Sequence, residues 1–432
     1  MKFLKPEQEK TQNYIGDRIK KANSVVVERI FAVEPTLVAV ERALDVIPDM
    51  TETTILHAGP PIEWERMCDP MQRAVRGALI FEGLARNSEE ADELIKKGKI
   101  KLSPNHHHSS VGPMTGIISP SMPVVVVKDS TFGGTVFSTF NEGGGKVLWF
   151  GVFEKETLER LRWIRDVLGP TIKMALVETK SIPIFSILAQ GIQMGDECHN
   201  RHAASTNIFL KVITDGLLSA DLRRSLILQV FRFIAGNSHF FLNLTMCACK
   251  LAMDAAHGIE ESTVVTAMSR NGTDFGIRVS GLGDTWYTAP APYLLDALYN
   301  PGYTAQDGAP DIGDSSIIET MGLGGFAIAA APAMASFAGG GFSEAVRITR
   351  DMGLITAAKN PRFGIPTLEF EGTPTGIDIR KVIETEITPS INSAVIHKSS
   401  GVGQIGAGIA RAPYECFTKA LMDFGKRLKI AA

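Results

Sequence analysis

Cysteine is scarce: five residues in 432, scattered along the chain. Only Cys247 and Cys249 lie close together, as C-x-C rather than C-x-x-C. That excludes a disulfide framework, and no second pair completes a zinc site of diagnostic spacing. Reduced thiols in a cytoplasmic enzyme are the expectation. Excess charge is missing too: 44 Lys and Arg face 47 Asp and Glu, for a formal net charge of −3. Nucleic-acid binders carry a net basic domain or stripe, and membrane-surface proteins a polybasic segment, so neither partner is expected. The opening MKFLKPEQEKTQ is charged and lacks the apolar region of a secretory signal. A strongly apolar span is absent as well. No residue between Glu319 and Glu344 is charged, a length that would cross a bilayer. Its sequence, MGLGGFAIAAAPAMASFAGGGF, is rich in Ala and Gly and broken by Pro332, which predicts a buried, closely packed helix and no membrane span.

What the chain does have is 44% apolar residues, enough for a sizeable core, and 41 glycines, above the usual share of about 7%. At about 150 residues per domain the length suggests three domains. Over 25–120 strand-like and helical patterns alternate, as in a parallel α/β layer. Ser24–Glu34 reads as strand-like and 36–46 as helical, followed by a strand over Thr53–Pro60, a helix ending before Asn87, a helix opening at Ser88 and a strand over Lys99–Asn105. Met122–Asp129 and Lys146–Phe153 read as strands, and Glu156–Gly169 as an amphipathic helix stopped by Gly-Pro. From Ile182 to Gly258 apolar residues recur only at helical spacing. Strands return at Ser262–Arg270 and Phe275–Gly281, with Asn271-Gly272 between them as a hairpin signal.

Five polar constellations carry candidate chemistry. The first, Asn105 with His106, His107 and His108, follows a strand, where open α/β sheets bind ligands. The second is Gly195 to His202, in which Glu197, Asn200 and Arg201 precede a helix and His199 and His202 share a helical face. The third is the hairpin tip, where Arg270, beside Asn271, offers a forked donor to a carboxylate or phosphate. The fourth runs from Asp307 through Asp314 to Gly324 and Gly325, where glycines lead into a helix whose N–H groups would face an anion. The fifth is a literal G-x-G-x-x-G at 401–406 that includes Gly403, flanked by Lys398 and Arg411. Too little chain follows it for a dinucleotide fold, so no cofactor is expected there.

Taken together, NHHHSSVGPMTG, GDECHNRHAAST, RNGTDFGIRVSG, the DIGDSS…GLGGFA run and HKSSGVGQIGAGIARAP resemble one family, typified by the YlbE/AllG and YahG proteins. The resemblance covers nearly the whole chain. It implies an α/β fold with a Rossmann-like N-terminal domain, a second mixed α/β domain and an all-helical subdomain. The matching segments are 1–120, then 121–181 with 259–432, and 182–258. It also implies an FdrA-like partner and a third subunit in an oxamate carbamoyltransferase, which turns oxalurate and phosphate into oxamate and carbamoyl phosphate during allantoin breakdown. A homo-oligomer is expected.

Carbamoyl transfer needs an anion seat, a donor to the carbonyl oxygen and a group that moves a proton. The residues supply His106 and His107 as donors, Glu197 or Asp314 as proton acceptor, and Arg270 and Arg411 as anion clamps. Asn105, Asn200, Arg201, Asn271, Gly324, Gly325, Lys398 and Gly403 complete the expected binding set, with no metal and no cofactor. The competing readings are a metal-dependent amidohydrolase built on His106, His108, His199 and His202, and a non-catalytic scaffold subunit of the same assembly.

Overall fold

The protein, seen in a computed structural model, is described over residues 6–338, 341–399 and 401–428. The first element is α1 (Pro6–Ala32). Its Ile19, Ala22, Val26 and Ile30 are buried at spacings of three and four, one face of a helix. The strand-like Ser24–Glu34 is therefore mostly helical, because burial of that stripe outweighs the β preference of the valines. The segment 36–46 differs in the opposite sense. It forms β1 (Pro35–Arg42) and one short helical turn, α2 (Ala43–Val46).

Strand β2 (Thr54–His57) leads through α3 (Asp69–Phe81) and α4 (Ser88–Lys96) to β3 (Lys101–Pro104), which pairs parallel with β2. The helix α4 opens at Ser88 as expected and is capped by Asn87, whose side chain accepts the Glu90 N–H at 2.9 Å. This is the one parallel pair among the described strands; the others pair antiparallel, unlike the parallel layer expected over 25–120. Strand β4 (Pro123–Asp129) pairs antiparallel with β1 on one side and with β5 (Thr135–Thr139) on the other. Its four successive valines are apolar because both faces of the sheet are covered. Val125 and Val127 enter the largest core, and Val124 and Val126 a smaller one with Ile47 and Met50.

Lys146–Phe153 is not a strand but a 3-10 turn over Leu148–Phe150. Its residues do not alternate: Val147, Leu148, Trp149 and Phe150 all enter one core, and the Glu142 carboxylate holds the N–H groups of Leu148 and Trp149. Gly169-Pro170 does not stop the next helix either. The chain runs from α5 (Lys155–Trp163) through a π-turn into α6 (Gly169–Thr179), where Pro170 sits in the first turn and its missing N–H costs little. After the short β6 (Ile182–Pro183), the helical stretch forms α7 (Ile184–Gln193), α8 (Ala203–Ser219), α9 (Arg224–Ala235) and α10 (Leu242–Ala255). Residues 242–253 of α10 are all buried, making it a central helix against the β1/β4/β5 sheet.

Strands β7 (Val265–Asn271) and β8 (Asp274–Val279) form the expected hairpin, and β9 (Tyr287–Pro290) adds to β8. Beyond β10 (Leu298–Tyr299), β11 (Ile312–Gly313) closes on β7 and runs into α11 (Ile317–Met321). The uncharged run is buried over 323–331, as expected, but it is not one α-helix. Gly324–Ala330 is a kinked 3-10 stretch, and a second follows from Pro332. Residues 339 and 340 of that run lie outside the described residues. Among the described residues no helix is long and apolar enough to cross a membrane. The remaining elements are α12 (Phe342–Leu354), the β12 (Thr356–Ile365) and β13 (Glu371–Ile377) pair, α13 (Ile379–Thr385), the β14 (Ser390–Ile396) and β15 (Gln404–Arg411) pair, and α14 (Tyr414–Arg427). The G-x-G-x-x-G leads straight into β15 and opens no helix.

Candidate active site

A cavity of about 230 Å³ lies where several of these loops meet. Pro113 and Met114 come from the first polar loop, His199 and Asn200 from the second, Ser315 from the fourth, and Gln404 from the fifth. Asn141, Trp149 and His239 complete its polar wall, and Phe150, Leu242 and Met334 its apolar one. None of the described lining residues is Asp, Glu, Lys or Arg. A wall of amides, a hydroxyl, imidazoles and an indole suits a polar group without strong charge.

The turn between α7 and α8 is built by two buried carboxylates. Asp196 accepts the N–H groups of Ala204 and Ser205 and so caps α8. Glu197 folds back to accept the N–H groups of His199, Asn200 and Arg201 and the Asn392 amide. Burial pushes its carboxyl up to about 7, with nearby Glu319 adding to the rise and His199 opposing it. This turn aims His199 at the cavity. Its Nδ1 lies 2.7 Å from Glu319 Oε1, while Nε2 has no partner among the described residues. Glu319 is fixed in turn by the N–H groups of Gly325 at 2.9 Å and Asn392 at 3.1 Å. A carboxylate holding one imidazole nitrogen selects the tautomer and leaves the other nitrogen to exchange a proton with a ligand. Two further donors are buried at the wall without a partner, Asn200 Nδ2 and Trp149 Nε1. Buried donors are ordinarily satisfied, so a ligand oxygen is the natural complement.

Other expected site residues lie elsewhere or are spent inside the protein. Asp314 is a buried knot that accepts Gly59 N–H at 2.9 Å, Asn105 Nδ2 at 2.8 Å, Gly112 N–H at 3.0 Å and Ser269 Oγ at 2.5 Å. Burial raises its carboxyl. Asn105 is therefore a strut rather than a ligand contact. His106 is buried with Nε2 3.7 Å from Asp314 Oδ1 and its ring edge-on to Trp286. Burial, with the charges of Lys250 and Arg278, holds its pKa well below the ordinary value. His107 is exposed and accepts from Trp286 Nε1 at 3.2 Å. His108 spends both nitrogens, on the Pro48 carbonyl and Ser103 Oγ. His202 is buried and lines no part of the cavity. The histidine set of the amidohydrolase reading is thus not assembled, and among the described residues no group of three or more His, Cys, Asp or Glu is arranged to hold a metal.

The expected anion clamps are also engaged. Arg270 is wholly buried, forked onto Asp311 at 2.8 and 3.0 Å, with further bonds to the Gly313 carbonyl and Ser393 Oγ. Asn271 is not a solvated turn residue: it is buried, donates to the Pro60 carbonyl and accepts the Thr273 and Asp274 N–H groups. Arg201 donates to the Gly195 carbonyl, Lys398 to the Gln306 carbonyl and Arg411 to Ser390 Oγ. The glycine turn is no phosphate cradle, because Gly324 N–H donates to the Glu197 carbonyl and Gly325 N–H to Glu319. Gly403 gives its carbonyl to His397 N–H, and no helix N-terminus follows it. Gly324 is required for another reason. It has a positive φ of 59°, and a Cβ there would overlap the Glu319 carboxylate and press on His199. Gly324→Ala is expected to cost about 1–3 kcal/mol in urea unfolding and to lower turnover by disturbing the His199–Glu319 pair.

Comparison with known proteins agrees with this architecture. The family profile described as "Oxamate carbamoyltransferase subunit AllG" matches residues 100–315. The Escherichia coli K12 protein of that name is 43% identical over 415 residues, covering 95% of this chain and 99% of its own. The chain belongs to the AllG family. The uncharacterised YahG protein of the same organism is 45% identical over 413 residues, covering 96% of this chain and 87% of its own. A crystal structure of a conserved protein of unknown function from Enterococcus faecalis V583 superposes on this AllG-family chain with a TM-score of 0.93. It has 45% identity and covers 95% of this chain and 99% of that one.

Asn141, His239 and Trp149 do not stand out in the sequence of this AllG-family chain. Asn141 opens the Asn-Glu-Gly-Gly-Gly run, whose adjacent polar and glycine residues are the available signal. Behind it, buried Glu142 positions Trp149 through its backbone, and burial raises the Glu142 carboxyl to about 7. The folded pKa lies above the unfolded one, so this group's stabilisation is full below about pH 4.5 and is lost as pH rises through about 7. Wild-type stability is expected to fall across that window by up to about 3 kcal/mol from this group, and Glu142→Gln to flatten the slope in chemical denaturation at a series of pH values.

Proposed function

We propose that this chain supplies the carbamoyl-transfer site of an oxamate carbamoyltransferase assembly. The observation that carries the reading is His199, held at Nδ1 by Glu319 and open at Nε2 toward a cavity walled by uncharged hydrogen-bonding groups. The name of the similar Escherichia coli subunit supplies the reaction class. The substrates are oxalurate and phosphate, and the products oxamate and carbamoyl phosphate. A phosphate oxygen forms a bond to the carbamoyl carbon, and the bond from that carbon to the oxamate nitrogen breaks. The proton of the attacking hydrogen phosphate ends on the departing nitrogen, passing through His199 Nε2. Asn200 Nδ2 and Trp149 Nε1 donate to the oxygen on which charge develops. His199 thereby takes the proton-moving role that the sequence pointed to in Glu197 or Asp314, and Asn200 and Trp149 take the donor role it pointed to in His106 and His107.

The partners are an FdrA-like protein and a third chain, with this subunit itself oligomeric, in the breakdown of allantoin. The test is carbamoyl phosphate formation by the full set of chains and by the set lacking this one. The reading expects activity that disappears on omission. Undiminished formation without this chain contradicts it.

A further inference from the structure

A second, more open depression of about 560 Å³ adjoins the cavity, and the two share Gly143 and Gly144 as a partition. Its character is opposite to that of its neighbour. Arg160 on α5 and Arg232 on α9 line it, with Trp163, Gln229 and Asn237 between them. Arg160 donates through Nη1 to the carbonyls of Glu142 and Gly144 at 3.2 and 3.4 Å, and it forms no ion pair among the described residues. The Arg232 side chain makes no hydrogen bond or ion pair among them. Glu142 is the one acidic residue of the lining, and its carboxylate turns inward to the N–H groups of Leu148 and Trp149. Two guanidinium groups thus face one depression with no ion pair among the described residues; Glu142, near enough to Arg160 for its charge to be felt, is committed to the two N–H groups behind it. Trp163 donates to Gln229 Oε1 at 3.2 Å, which leaves the Gln229 amide N–H groups free to bond an oxyanion.

We infer that this depression seats a phosphate dianion and passes it to the cavity across the glycine partition. Two arginines match a tetrahedral oxyanion through forked donors. The position places the phosphate next door, while the neutral carbamoyl end of the substrate meets the neutral donors of the cavity. The identity of the anion as a reactant rests on the carbamoyl-transfer reading; the existence of the seat rests on the two unpaired arginines.

The experiment is calorimetric titration of inorganic phosphate into the full-length chain at fixed ionic strength, for the wild type, Arg160→Ala, Arg232→Ala and His199→Ala. Saturable binding is expected, weakened about tenfold or more by each arginine replacement and unchanged by His199→Ala. Arg232 is exposed on α9, so its replacement probes the seat even where loss of Arg160 loosens the glycine loop. Absence of saturable binding, or wild-type affinity in Arg232→Ala, overturns the inference. Because the readout is binding, loss of the carbamoyl-transfer reading in an activity assay leaves a positive titration standing as an oxyanion seat, and a negative titration leaves the activity reading untouched.

Discussion

His199→Ala in the assembled enzyme lowers carbamoyl phosphate formation by about 10²- to 10⁴-fold, the range that a positioned acid–base group supplies. The loss falls on kcat rather than on KM, because His199 acts on a proton in flight and not on the resting substrate. Glu319→Gln gives a loss of up to about 10⁴-fold, since an amide can donate to Nδ1 and select the tautomer that leaves Nε2 protonated, and it no longer stabilises a charged imidazole. Its pH–rate profile is expected to shift as well, which a merely structural carboxylate would not produce. Steady-state kinetics of the two variants with matched incorporation into the assembly decide between proton transfer and simple packing.

The largest effect on stability is expected at Arg270 and Asp311. Both side chains are fully buried, forked together, and braced by Ser393 and the Gly313 carbonyl. Asp311→Ala strands a buried guanidinium and costs about 3–5 kcal/mol. Replacing both partners, Arg270→Met with Asp311→Leu, removes the stranded charge and recovers a large part of that loss. Urea unfolding of the single and double variants measures the difference. An anion clamp facing substrate would behave otherwise: the single replacement would weaken substrate binding and leave stability nearly unchanged.

These two sites show what the sequence does and does not convey. Asp311 and Arg270 stand 41 positions apart, and nothing along the chain says that they pair. An arginine at a hairpin tip looks free until the β7–β11 pairing brings Asp311 under it. Asn105 and Asp314 repeat the lesson, since a polar residue at a strand end is as useful for tying loops together as for binding a ligand. The loops themselves were legible. Dense glycine and polar residues at 105–114, 195–202, 314–325 and 401–406 mark segments rich in turns, and each either lines the cavity or abuts the pair that serves it. Which side chain in each loop matters was not legible, because that depends on which carboxylate lies behind it. Glu319 makes His199 a candidate, and Ser103 and Pro48 remove His108.

At the level of elements, periodicity served well where one face is buried, as in α9, and the Asn-Gly turn signal served for the β7–β8 hairpin, which is buried on both faces. It failed where both patterns coexist. TLVAVER reads as either helix or strand until β4 is there to pair with it. The aromatic run ending at Phe153 satisfies a strand's composition without its alternation. Arg160 and Arg232 carry no signal in the sequence because each is an ordinary basic residue of an amphipathic helix, and only the packing of α5 beside α9 reveals that neither forms an ion pair among the described residues.

Where the product binds tests the assignment of the cavity most directly. A crystal structure of this chain with oxamate is the decisive measurement. The account predicts oxamate in the 230 Å³ cavity, with its amide end within hydrogen-bond reach of His199 Nε2 and an oxygen accepting from Asn200 Nδ2. Oxamate bound instead beside His106, Trp286 and Arg278, with the cavity holding none, would contradict it.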